Sequence, residues 1–119
     1  MNPDTAWKGI TALYADPAVA QELIRRQDVE GLDVVLHLFA QWCAAQGRPL
    51  NDAALADAAA TVADWRAQVI APLRGLRRSM KTLAAAPALR DAVRSQVQAA
   101  ELAAERAQVA MLCAWLDGR

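Results

Sequence analysis

The stretch from Gln27 to Trp42, QDVEGLDVVLHLFAQW, leaves a chain of this size few choices. Its second half is the most apolar run in the sequence, and Gly31 separates that run from a charged approach. A segment apolar nearly all round has to lie in the middle of a core, because no single face of it can be left to water. The adjacent Val34 and Val35 suit a buried strand, but the apolar pattern continues past Cys43 and stops at Gly47, which favours a helix with a glycine terminus. Asp33 is placed to cap that helix.

The remaining segments are expected to wrap around it. Asn2-Pro3 and Asp16-Pro17 each pair a capping side chain with a proline suited to the first helical position. They predict one helix stopping near Ala15 and a second from about Pro17 to Gln27. Asn51 or Asp52 opens a fourth, alanine-rich helix whose pattern flows into a fifth from about Val62 to Leu83, kinked at Pro72. Pro87 opens the last helix, which continues to Leu116 without glycine or proline. Alanine is abundant and β-branched residues are few, which agrees with helices throughout. The expected fold class is all-α: one bundle of five or six helices with a central apolar helix and a long C-terminal helix. A length of 119 residues suits a single domain spanning 1–119.

Two faces follow from helical spacing. Trp65, Val69, Leu73, Leu76, Met80 and Leu83 share one side of the fifth helix at 100° per residue, so Arg74, Arg77, Arg78 and Lys81 gather nearly opposite. In the last helix Leu89, Val93, Val97, Ala100, Ala104, Ala107, Met111 and Trp115 form one stripe. Leu102, Val109, Leu112 and Leu116 add a second apolar side that must be buried within the chain or against another copy.

In the order Trp7, Leu13-Tyr14, Pro17, Val19, Gln27-Asp28, Gly31, Asp33-Val34, Trp42 and Gly47, then Trp65-Arg66, Val69, Pro72-Leu73-Arg74, Arg77-Arg78 and Lys81, the chain resembles an uncharacterised proteobacterial family called domain of unknown function 2390. The resemblance covers roughly residues 7 to 81. It implies a small, helical, soluble bacterial protein and brings no activity with it. The pattern has an apolar residue where His37 stands.

The candidate sites are few. Asp33, His37 and Gln41 follow one another at steps of four along the central helix, a polar seam in reach of Asp28. His37 is the only histidine, and no HExxH, ExxH or second histidine accompanies it, so no metal is expected. The plain reading is an N-cap followed by two side chains that hydrogen-bond in the core or reach solvent. The cluster Arg74, Arg77, Arg78 and Lys81 needs negative charge nearby. Acidic residues of the same domain, such as Asp57, Asp64, Glu101 or Glu105, could supply it, as could a phosphate or an acidic protein surface. Trp7, Trp42, Trp65 and Trp115 all fall on apolar stripes and are expected in the core, with Asp33 or Gln41 as acceptors for their indole N–H groups. Cys43 and Cys113 are expected to be buried, reduced thiols.

Thirteen basic and thirteen acidic residues cancel, so there is no long-range attraction toward nucleic acid or anionic lipid. No catalytic triad, GxSxG or glycine-rich phosphate loop is present, and no cofactor is expected. No segment is apolar enough to span a membrane, and the N-terminus lacks a signal-peptide pattern, so a cytoplasmic location is expected. Two functions fit these features, and the sequence favours the first. One is a non-enzymatic interaction module whose basic helix face and C-terminal helix meet a protein partner or a second copy. The other is a small-molecule or phosphate-binding protein, with or without catalysis, using a cleft near Asp28, Asp33, His37 and the Arg74–Lys81 face. RNA is the less favoured ligand, because the arginines have no stacking aromatics between them.

Overall fold

The computed structural model describes residues 1–119. Six α-helices follow one another: α1 (Pro3–Tyr14), α2 (Pro17–Glu30), α3 (Val34–Ala45), α4 (Asp52–Trp65), α5 (Ala71–Met80) and α6 (Pro87–Asp117), with a π-helical turn at Arg66–Ile70 joining α4 to α5. There is no strand, and the architecture is an all-α bundle.

The helix starts are made by the expected residues. Asn2 accepts hydrogen bonds from the Asp4 and Thr5 amides, Asp16 from Ala18, Asp33 from Leu36 and Asn51 from Ala54, at 2.8–3.3 Å. These caps satisfy amides that the first helical turn leaves open. The α2 helix runs three residues past the expected end and terminates at Gly31, whose φ of 68° is the left-handed conformation that glycine adopts without strain.

The α3 helix is the centre. Val34, Val35, Leu38, Phe39, Trp42 and Cys43 are all buried, on a helix of 12 residues. Around it, Ala6 and Ile10 of α1, Leu23 of α2, Ala58 and Val62 of α4, and Val109, Leu112, Cys113 and Leu116 of α6 complete one apolar cluster. The two apolar sides of the C-terminal half of α6 are thus largely covered within the chain. Gly9 lets α1 approach α3 closely, because a Cβ there would collide with the Trp42 indole.

The fourth and fifth helices are one continuous rod. Helical geometry persists across Trp65, Ile70 and Ala71, and the Ala71 amide donates to Arg66 O, five residues back. Pro72 has no amide hydrogen, and the widened turn just before it accommodates that loss without a break. The wide turn carries an extra residue, so side chains after it are rotated by about 100° relative to an ideal helix. This alters the expected faces of α5 in part, although Met80 is buried and Leu73 half-buried as expected. Leu76 is exposed, as is Leu83 beyond the helix, whereas Arg74 and Arg77 turn inward alongside Ile70 and Met80.

The N-terminal half of α6 departs in the same way. Leu89 and Val93 are exposed, while the line facing α5 contains Arg90, Arg94, Val97 and Glu101. The reason lies at the end of α5 and in the connection just after it, where carbonyls have no partner within a helix. Arg94 Nε donates to Arg77 O at 3.2 Å, and Arg90 Nη1 donates to Leu83 O at 3.2 Å. With 31 residues, α6 is about 46 Å long at the usual helical rise, and the molecule extends 49 × 29 × 27 Å.

Candidate functional site

The inward rotation of α5 opens a cleft of about 530 Å³ between the α1–α3 layer and the α5–α6 pair. One wall is apolar, formed by Trp7 and Ile10 of α1, Ile24 of α2, and Val34, Val35 and Leu38 of α3. The opposite wall carries Arg74, Arg77 and Arg78 of α5 and Lys81 just after it. Gln98, Glu101, Leu102 and Glu105 of α6 line the cleft as well, and Thr11, Tyr14, Gln27 and Asp28 complete it.

Most charges in the cleft are matched. Glu101, its side chain 6 % exposed, accepts from Arg77 Nε at 2.7 Å and lies 3.3 Å from Arg74 Nε. Arg78 Nη1 donates to Asp28 Oδ1 at 2.9 Å. With its amide oriented to suit both groups, Gln27 accepts from Arg74 Nη1 and Nη2 at 3.2 and 3.1 Å. Among the acidic candidates, Glu101 therefore pairs with the arginines and Glu105 lies beside them. Asp57 instead accepts from Trp115 Nε1 and Arg119 Nη1, and Asp64 is exposed without an ion pair.

Two of the acidic and basic side chains of the cleft have no ion-pair partner. Lys81 is exposed at the rim and makes no ion pair. Glu105 is half-buried on α6, one turn beyond Glu101, and makes no hydrogen bond or ion pair within the chain. Burial first, and then the charge of Glu101, push the Glu105 carboxyl up to about 7, against the opposing pull of Arg74 and Arg77. Tyr14 is raised by burial and by the nearby Glu105 carboxylate. The region thus holds a carboxyl that changes protonation near neutrality, facing a phenol and flanked by two committed arginines.

The polar seam of α3 lies elsewhere. Asp28 belongs to the cleft, but Asp33, His37 and Gln41 do not line it. Asp33 caps α3, accepts from Gln108 Nε2 at 3.0 Å and sits 3.7 Å from Arg66 Nε. Gln108 is fully buried, and its Oε1 has no donor within the chain. His37 Nε2 is 3.0 Å from Gln41 Nε2, and burial lowers the imidazole's pKa. No group of three or more His, Cys, Asp or Glu side chains is placed to hold a metal ion. Two indole N–H groups find acceptors other than those expected: Trp65 donates to Ala104 O at 2.9 Å and Trp115 to Asp57. Cys43 and Cys113 are buried free thiols, and burial pushes Cys43 up to about 11.

Sequence spacing singled out the arginines and Asp28, and the fold brings them together in one cleft. Spacing named Glu105 only as one of four acidic residues that could partner the arginines, and whether a glutamate pairs or stands alone depends on neighbours that spacing does not give. A family model described as protein of unknown function (DUF2390) matches residues 5–112, well beyond the segment carrying the resemblance noted above. No curated protein matches the chain, and no solved structure matches it.

Proposed function

We propose that this chain, which belongs to the family described as protein of unknown function (DUF2390), is a small-molecule-binding protein. Its site is the cleft between α1–α3 and the α5–α6 pair, and its ligand is anionic at one end and apolar along its body. The observation that carries this reading is the inward orientation of the α5 cations across from a wall of Trp7, Ile10, Val34 and Leu38. The cleft volume falls within the roughly 300–1,000 Å³ typical of ligand pockets, and an apolar wall with a few convergent polar groups is their usual composition. Arg78, Asp28 and Lys81 stand at accessible positions where an incoming anion can displace a weak, solvent-screened ion pair. The two buried thiols suit a reducing bacterial cytoplasm. No helix is long and apolar enough to cross a membrane.

Thermal unfolding in the presence of a panel of small organic acids tests the reading. A ligand at a hundred times its Kd adds about 2.7 kcal/mol, which is several degrees in Tm for a domain of this size. The shift should disappear when Arg78 and Lys81 are both changed to glutamate; both side chains are exposed, and the only ion pair lost is the solvent-screened one between Arg78 and Asp28. An unchanged Tm across the panel, or a shift that survives the double substitution, contradicts it.

A second reading, a module that contacts another copy of the chain, draws support from Leu76, Leu83, Leu89 and Val93, which are 49–72 % exposed around the α5–α6 connection. Sedimentation over a wide concentration range decides this: a species that stays monomeric at high concentration removes it.

A further inference from the structure

Resting on the cleft being a small-molecule site, we propose that its ligand is a phosphate monoester with an apolar body. Arg77, Arg78 and Lys81 hold the phosphate, and the body lies along Ile10, Val34 and Leu38.

The backbone brings these cations together. Arg74, Arg77, Arg78 and Lys81 stand at i, i+3, i+4 and i+7, and Lys81 keeps helical dihedral angles just past the end of α5 (φ −57°, ψ −35°), so the four side chains are neighbours along one face. Arg74 is the most fully used: both of its terminal nitrogens donate to Gln27, and its Nε lies 3.3 Å from Glu101. The other three keep donors. Arg77 reaches Glu101 through Nε at 2.7 Å and through Nη2 at a long 3.5 Å, and its Nη1 makes no hydrogen bond within the chain. Arg78 commits only Nη1, to Asp28, which leaves Nε and Nη2. Lys81 commits nothing.

The unused donors decide the head group. A carboxylate has two oxygens in one plane, and a single guanidinium fork is enough to hold it. Spare N–H groups on three adjacent cations call for an acceptor that presents oxygens in several directions, as the three terminal oxygens of a phosphate monoester do. Net charge agrees: Arg74, Arg77, Arg78 and Lys81 face Asp28, Glu101 and Glu105, so the cleft is positive in either protonation state of Glu105. Burial first, and then Glu101, hold the Glu105 carboxyl at about 7, so it takes up a proton readily when a second negative charge arrives. An amine would be repelled by the same surplus. The facing wall decides the body, because a bare phosphate would leave Ile10, Val34 and Leu38 against water, whereas an aliphatic or aromatic group covers them.

The test is calorimetric titration of the full chain at pH 7.5, where a phosphate monoester is largely a dianion. Phenyl phosphate and butyl phosphate are compared with phenyl sulfate and butyl sulfate, which have the same shape and one negative charge fewer. Phenylacetate and inorganic phosphate are the remaining probes. Each phosphate monoester should bind about tenfold more tightly than its sulfate, the factor expected of one further charge-assisted hydrogen bond. Phenyl phosphate should also bind about tenfold more tightly than phenylacetate or inorganic phosphate. Lys81→Gln, at an exposed residue without an ion pair, should remove most of the preference for phosphate over sulfate. Sulfates or phenylacetate that bind as tightly as the phosphate monoesters overturn the inference while leaving the cleft a small-molecule site, and so does a preference that Lys81→Gln leaves unchanged. Inorganic phosphate that binds as tightly as phenyl phosphate overturns it too, since the apolar body would then contribute nothing. If no probe binds, the inference falls; the cleft as a small-molecule site falls with it only if the organic-acid panel is also silent.

Discussion

The two ends of α6 are held by different physics. Its C-terminal half lies in the dry bundle, where Val109, Leu112, Cys113 and Leu116 join Phe39, Leu38 and Val62 in one apolar cluster. Its N-terminal half is tied to α5 by arginines that reach carbonyls and by Glu101 between Arg74 and Arg77, while Leu76, Leu89 and Val93 remain in water. Apolar burial is non-directional and packs a region tightly. Charged contacts need geometry and leave space wherever a partner is missing, and the cleft lies along the charged half.

Substitutions should separate the two regimes. The largest effect is expected at Phe39, fully buried in α3: Phe39→Ala should lower the unfolding free energy by about 3–5 kcal/mol through lost transfer and a cavity. Urea denaturation measures it, and a loss below about 2 kcal/mol would mean that the bundle collapses onto the void. In the charged half, Glu101→Ala strands two guanidinium groups and should remove about 2–3 kcal/mol, less than for a fully buried pair because the arginines keep some solvent. Replacing Glu101, Arg74 and Arg77 together by leucine or methionine should restore most of that stability while abolishing ligand-induced shifts. A triple variant as unstable as Glu101→Ala would show that the charges hold α5 in place beyond their mutual pairing.

Smaller effects sharpen the contrast. Gly9→Ala adds a methyl against the Trp42 indole and should cost about 1–3 kcal/mol by overpacking, despite the better helix propensity of alanine. Glu105→Gln should act with the opposite sign. The folded-state carboxyl sits near 7 against an ordinary 4.5, so the native state holds the extra proton between those values. Wild-type stability should therefore fall as pH rises from about 4.5 to about 7 and stay lower above it. The glutamine variant escapes that loss and should be more stable at pH 8 by about 1–2 kcal/mol, a value discounted for residual solvent screening, with no gain below pH 4.5. Thermal melts at the two pH values read the difference. Leu89→Gln, 72 % exposed, should stay within about 0.5 kcal/mol of wild type in a melt. A larger loss would mean that this apolar side is covered in solution.

The sequence by itself determined the helices, their caps and their centre. Asn2, Asp16, Asp33 and Asn51 act on the first turn beside them, and an apolar run such as Val34–Cys43 can only be central; both are local properties that a linear reading reaches. The faces of α5 and of the first half of α6 were decided by tertiary structure. A single wide turn before Pro72 rotated everything after it, and no periodicity written at 100° per residue carries that offset. The carbonyls of Arg77, at the end of α5, and of Leu83, beyond it, then drew Arg94 and Arg90 inward and left Leu89 and Val93 outside. Glu105 became a site residue only when three helices had removed its water and Glu101 had taken both arginines, because a side chain's ionisation belongs to its surroundings and not to its place in the chain.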